Sequence, residues 1–254
     1  MNLLAFDTST EIMSVAVSRS MGDASLTSQL WQHSALGGAL TSTHLIPTIG
    51  RLMAQAQLQF NQLDAIAFGC GPGSFTGLRT ACAVAQGLAF GANVKVLPID
   101  TLLAVAEEAR HQHAPALDHY QVLALLDARM DEMYAAGYAF NRGHWQQIRD
   151  CCLIHPQDLV WDADCTLAGN VFAAYGARLP APRPAALSPS GAVPLASALG
   201  LHVDALPSAS AMLRLAPALL AAGAAVRAEQ ALPRYIRDKV AKTTLERAAE
   251  KAVP

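Results

Sequence analysis

Three glycines, a proline and two hydroxyl side chains fall within nine residues of this 254-residue chain, Gly71-Pro72-Gly73-Ser74-Phe75-Thr76-Gly77-Leu78-Arg79. An alternating apolar segment, Asp64 to Cys70, precedes them, and a run of small residues, Thr76 to Gly91, follows. That order predicts a strand, a tight turn and then a helix. Glycine belongs where the backbone must take positive φ or lie close to another group. Ser74 or Thr76 can cap the orphan N–H groups of the helix, and such an N-terminus also suits an anion. The stretch is not a Walker A loop, because no Gly-Lys-Ser/Thr follows, and its Gly-x-Gly-x-x-x-Gly spacing is not the dinucleotide fingerprint. Two readings stay open: Gly71, Gly73, Ser74, Gly77 and Arg79 touch a phosphate, or the loop is only a close-packed strand-to-helix turn.

Little else in the chain offers catalysis. The histidines are His33, His44, His111, His113, His119, His144, His155 and His202, and no two stand four apart as a helical metal pair would. His44 has Leu40 and Thr48 at those positions. His-Glu-x-x-His and Gly-x-Ser-x-Gly are absent, and Ser74 has no identifiable base. No catalytic residue and no metal ligand is expected.

The elements that must position the loop follow from periodicity. Strands are expected at about 2–7, 12–19 and 26–33, then a helix at 38–58, a strand at 64–69, a helix at 76–90, a strand at 94–99 and a helix at 100–112. A second start appears at Gln121–Asp127, followed by strands over Glu132–Phe140 and Gln146–Ile154, with Thr166–Asn170 as a strand and turn. Asp127 thus occupies in the second half the place of Asp7 in the first. The expected organisation is an N-terminal lobe, 1–112, and a smaller lobe, 113–210, irregular over the Pro-, Ala- and Ser-rich 176–210. A segment 211–254 follows, whose helix, Met212 to Arg227, packs back on the first lobe and leads into a tail.

Composition bounds the partners. Apolar residues make up 52% and charged residues 15%, with a net charge of −2. Disorder is excluded, and a basic surface that binds nucleic acid unaided is not supported. The five cysteines contain no Cys-x-x-Cys, which suits reduced thiols in the cytoplasm. Residues 1–18 carry no positive charge, so no secretory signal is expected. One long uncharged stretch, Pro184 to Val203, holds three prolines and does not suit a membrane-spanning helix.

Helical stripes raise the question of docking. Leu45, Ile49, Leu52 and Ala56, broadened by Ile46 and Met53, recur at helical spacing around Pro47; Gly77, Ala81, Ala85 and Leu88 do the same in the next helix. Either the stripes pack on their own sheet or part of them faces a partner. At the C-terminus, Arg234, Arg237 and Lys239 interleave with acidic residues, as a solvated face or as contacts to RNA or an acidic partner surface.

The opening Leu3–Asp7, Thr8-Ser9-Thr10 and Glu11–Ser18, a buried strand ending in Asp, a hydroxyl turn and an antiparallel return, resembles the start of the ribonuclease-H-like ATPases: actin, Hsp70 and the sugar kinases. That resemblance implies an α/β fold of two such lobes, the second degenerate, with Asp7 and Thr8 at the cleft where relatives hold a magnesium-bound phosphate. The whole set is similar to one family, TsaB (YeaZ). It is carried by Leu4-Ala-Phe-Asp-Thr-Ser-Thr10, His44-Leu-Ile-Pro47, Gly69 to Arg79, Ala85-Gln-Gly-Leu-Ala89, Leu126-Asp-Ala-Arg-Met130 with Glu132-Met-Tyr134, and Pro233-Arg-Tyr-Ile-Arg237. The resemblance implies a noncatalytic scaffold of tRNA threonylcarbamoyladenosine synthesis. Its partners would be a TsaD-type paralogue and a TsaE-type ATPase, with tRNA reached through the complex, ATP and metal on the partners, and a homodimer in isolation. It further implies a helical-bundle interface, carried over to Leu45, Ile49, Met53, Ala81 and Ala85. An independent ATP-binding phosphotransferase of the same superfamily is the alternative, although Asp127-Ala-Arg-Met-Asp-Glu lacks the glycine and hydroxyl residues of a second phosphate hairpin.

Overall fold

The apolar alternation of the first hundred residues becomes a five-stranded sheet ordered β3-β2-β1-β4-β5. Its strands are β1 (Leu3–Asp7), β2 (Ile12–Ser20), β3 (Ser28–Leu36), β4 (Ala65–Gly71) and β5 (Lys95–Asp100). β1 runs antiparallel to β2 and parallel to β4, so hairpins on one side meet crossover connections on the other. The computed structural model describes residues 1–21, 28–184 and 202–237. The expected third strand, 26–33, instead reaches Leu36, because β2 offers a partner as far as Ile12. Leu36 is exposed, and so its place in the strand left no burial pattern to read.

Two helices cover one face of this sheet. α1 (Thr41–Gln55) follows a short 3-10 turn at Gly38–Leu40, and α2 (Phe75–Ala92) begins at Ser74, whose Oγ accepts from the Gly77 N–H. α2 ends at Asn93 in the left-handed conformation, where the N–H groups of Asn93 and Val94 return to the carbonyls of Phe90 and Ala89. The other face is covered by α3 (Thr101–His113) and by a later helix, Ala209–Ala221, whose Ala209 N–H donates to the buried Ser14 Oγ of β2. That later helix is shorter than the expected run to Arg227. Gly223, at φ +77°, stops it, and the Ala224 N–H folds back to the Leu219 carbonyl.

The second sheet repeats the first. Its strands are β6 (His119–Arg129), β7 (Glu132–Asn141), β8 (His144–Ile154), β9 (Thr166–Gly169) and β10 (His202–Asp204). Their order is β8-β7-β6-β9-β10, again with an antiparallel meander and parallel outer strands. The chain is therefore a duplicated ribonuclease-H-like α/β fold, that of the actin, Hsp70 and sugar-kinase superfamily. α3 is shared: Leu102, Val105, Ala106 and Ala109 pack into the core of the second sheet, while Ala104 faces the first. Among the described residues the outer face of the second sheet carries short turns (Pro156–Asp158, the single helical turn α4 at Phe172–Tyr175, and Gly176–Arg178) where the first sheet carries two long helices. Ala209–Ala221 is α5 in the numbering used below. No helix of the described residues is long and apolar enough to cross a membrane.

After α5 the chain wraps the first lobe. Val226 pairs with Val96 on the edge of β5, and the Ala231 carbonyl accepts from Gln86 Nε2 on α2. It then enters the gap between the two sheets at Arg234, whose N–H donates to the Cys70 carbonyl over 2.6 Å.

Candidate functional site between the lobes

A cavity of about 440 Å³ lies where the ends of β1, β4 and β6 face each other. Ser9, Thr10, Gly73 and Ser74 line it from the first lobe, Asp127 to Met130 and Tyr134 from the second, and Tyr235 to Arg237 from the C-terminal segment. Concave clefts of this kind are where small-molecule sites preferentially form.

The glycine loop is committed inside the chain. At Gly77 a Cβ would overlap the Thr8 carbonyl, and Thr8 Oγ1 donates to the Gly77 carbonyl over 2.7 Å. At Gly71, φ is +121° and a Cβ would strike the Arg234 carbonyl. Gly73 lies against the Ser9 backbone, whose carbonyl accepts from the Ser74 N–H at 2.7 Å. The glycines thus admit the β1 turn and the C-terminal segment, which is the close-packed reading left open by the sequence.

Asp7 does not stand at the mouth of the cleft. It is fully buried, and its Oδ1 accepts from the Ser9 N–H (2.9 Å) and Oγ (2.7 Å). Its Oδ2 has no partner and sits where a Cβ on Gly69 would be. Burial raises its pKa from 3.8 to about 6 against the two Ser9 bonds. Thr8 is likewise buried. Arg79 is exposed; its guanidinium stacks 3.9 Å from the Phe75 ring centroid and its Nε donates to the Tyr235 hydroxyl at 3.0 Å. Of the residues expected near a phosphate, Gly73 and Ser74 reach the cavity wall.

The second lobe closes the site with a strained hairpin. Arg129, Met130 and Asp131 all have positive φ (61°, 56° and 65°), a conformation that costs residues with a Cβ. Asp127 holds the turn by accepting from the Arg129 N–H at 2.8 Å, and its other oxygen is 3.2 Å from the Arg129 guanidinium. Tyr175 donates to Asp127 at 2.9 Å, and Arg178 pairs with Asp131.

Sequence reasoning missed Asp100, the junction of the site. Its Oδ1 caps α3 by accepting from the Leu102 and Leu103 N–H groups and also accepts from the Tyr138 hydroxyl of β7 at 3.0 Å. Its Oδ2 pairs with Arg234 at 2.9 Å. Burial outweighs these donors and raises its pKa above the usual carboxylate value. An Asp just before a helix is a readable cap; the Tyr138 and Arg234 contacts span 38 and 134 residues and leave no local signal. Arg234 and Arg237, expected on a solvated face or on a partner, are engaged within the chain. Arg237 pairs with Glu132 and donates to the Arg129 carbonyl. Lys239 lies outside the described residues.

The expected interface residues are placed elsewhere than proposed. Leu45, Ile49, Met53, Ala81 and Ala85 are all buried in the core between α1, α2 and the first sheet. They cannot meet a partner, because their stripe is the one that holds the helices to the sheet. The faces turned outward carry Ile46, Gly50 and Ala54 on α1, and Ala83, Gly87 and Phe90 on α2. Among the described residues no three His, Cys, Asp or Glu side chains gather as a metal-ion site.

Residues 33–252 match the family model described as TsaD, tRNA N6-adenosine threonylcarbamoyltransferase. The Escherichia coli (strain K12) tRNA threonylcarbamoyladenosine biosynthesis protein TsaB is 31% identical over 242 residues, 95% of this chain and 96% of that protein. The Haemophilus influenzae protein of the same name is 42% identical over 134 residues; that match spans about half of each chain, 53% of this one and 52% of the relative. Among solved structures, YeaZ from Pseudomonas aeruginosa superposes with a TM-score of 0.75 at 35% identity, over 92% of this chain and 99% of that one.

Proposed function

This chain belongs to the TsaB (YeaZ) family, and from that membership we propose that it serves tRNA threonylcarbamoyladenosine biosynthesis as a noncatalytic scaffold and activating subunit. In this reading it acts in the cytoplasm. A TsaD-type paralogue supplies the metal and the transfer chemistry, a TsaE-type ATPase supplies ATP turnover, and tRNA is reached through the assembly. In isolation the same surface pairs two copies of this chain.

The observation that carries the reading is the outward face of α1 and α2. Ile46 is 56% exposed and Phe90 82% exposed. Where a Cβ would stand on Gly50, Gly87 or Gly91 there is no atom within 4 Å. A glycine inside a helix costs about 0.5–1 kcal/mol relative to alanine, and among the described residues none uses the space these three leave. Arg51 and Arg79 are the formal charges on the two helices. A nearly uncharged, small-residue, two-helix face suits close packing against another pair of helices rather than water. The paralogue is the occupant, since a surface that fits a related fold also fits a copy of itself.

The cleft does not favour an independent phosphotransferase. Arg129, Arg234 and Arg237, which line the cavity, are held by Asp127, Asp100 and Glu132.

The experiment mixes the purified chain with the TsaD-type protein of its organism, follows co-elution, and assays threonylcarbamoylation of tRNA with and without this chain. Co-elution and dependence on this chain are expected. Ile46→Asp and Ala83→Arg should abolish both while leaving the circular dichroism unchanged. Absence of a complex, with micromolar ATP binding by the isolated chain, would overturn the proposal.

A further inference from the structure

The loop that looks like a phosphate cradle already has a ligand, and the ligand is a peptide of the same chain. Arg234 donates its N–H to the Cys70 carbonyl and lays its own carbonyl where Gly71 has no Cβ. Its guanidinium pairs with Asp100. The Tyr235 ring lies 5.2 Å from Phe75, and its hydroxyl accepts from Arg79. Ile236 then packs against the core of the second lobe. Arg237 reaches Glu132 and the Arg129 carbonyl on the strained hairpin. Over four residues the segment passes from the first lobe to the second along the wall of the 440 Å³ cavity.

We propose that Leu232–Arg237 is a latch bound in cis, with the glycine loop as its receptor, and that its two arginines set the opening between the lobes. This goes beyond the scaffold role and does not depend on which partner covers α1 and α2. Guanidinium forks fix direction as well as distance, so one at each end of a short bridge holds both the gap and the angle. Elsewhere the lobes are joined by the buried apolar side chains of α3, with Tyr138 on Asp100 and Trp145 on the buried Glu107 beside them. The first anchor of the latch is polar and lies at the rim of the cleft, the Arg234 side chain being 45% exposed, whereas that of Arg237 is 14% exposed. It therefore opens at lower free energy than the α3 seam, and an occupant of the cavity enters when it does.

The test is amide hydrogen exchange on the full chain, comparing wild type with the Arg234→Gln/Arg237→Gln double variant. Exchange in 232–237, in the loop 70–79 and in the hairpin 127–134 should rise roughly tenfold or more, as expected for loss of charge-assisted bonds. β1, β4 as far as Gly69 and β6 as far as Leu126 should stay protected. Unchanged exchange in the hairpin would overturn the proposal, because the segment would then be a passive tail. Should the double variant fail to fold, Tyr235→Ala keeps both ion pairs and must still loosen 75–79 together with 232–237; no change there would also overturn it. Inorganic phosphate is the probe for the rival ligand. It should leave the wild-type pattern unaltered, and protection of 71–79 with faster exchange in 232–237 would assign the loop to phosphate instead.

Discussion

Asp7 shows how one buried carboxyl couples the fold to pH. Its folded pKa of about 6 lies above the ordinary 3.8, so the contribution from keeping it neutral is fully present below pH 3.8 and lost as pH rises through 6. The difference corresponds to about 3 kcal/mol at most. Urea unfolding between pH 4 and pH 7.5 should show this decline in wild type, and Asp7→Asn should lack it. Gly77→Ala tests a steric claim, since its Cβ meets the Thr8 carbonyl. It should cost about 2–3 kcal/mol in the same assay. Cys70, Cys151 and Cys165 are each pushed up to about 12, chiefly by burial. Iodoacetamide at pH 8 should spare all three until the chain unfolds. Asp7 was legible as a strand-ending acid, but its burial beneath Gly69 and Met212 was not, because that depends on the packing of β4 and α5.

At the scale of elements, α1 and α2 each have two faces that sequence cannot rank. Both carry apolar residues: Leu45 and Ile49 inward, Ile46 outward; Ala81 and Ala85 inward, Phe90 outward. The outward faces mix apolar residues with polar ones such as His44 and Arg51, and so the stripe with the cleaner period was the core. Gly87→Ala separates intrinsic helix preference from docking. In the isolated chain it should stabilise by about 0.5–1 kcal/mol, because no described residue occupies the space. In the mixture with the TsaD-type protein it should weaken co-elution, because the added methyl stands in the proposed contact. Calorimetry and size-exclusion chromatography read the two effects separately. The strand, loop and helix around Gly71–Arg79 were legible almost to their ends, since local turn chemistry places them; the ligand of the loop was not.

For the whole molecule, the seam along α3 decides whether two lobes behave as one. Glu107 is 3% exposed and accepts from Arg110, Arg214 and, at 3.0 Å, from the Trp145 indole of the second lobe. Removing one member of a buried charge cluster leaves the others unpaired, so Glu107→Gln should destabilise by about 3 kcal/mol. Chemical denaturation followed by Trp145 fluorescence should show the loss, while α1 and α2 keep their outward face and co-elution survives under native conditions.

By itself the sequence determined the duplicated α/β architecture and the family. Strand alternation, helix stripes, caps and turn residues act over a few positions, and the motif blocks are contiguous. The tertiary structure alone decided which helix faces were free, that Asp7 is buried away from the cleft, and that the glycine loop holds Arg234 and Tyr235. Those outcomes rest on contacts between segments far apart in the chain, such as Arg234 with Asp100 and Arg79 with Tyr235, 134 and 156 residues apart. Residue type states what a side chain can bind. Which partner it meets is fixed when the two sheets close on α3 and the chain end is drawn across them.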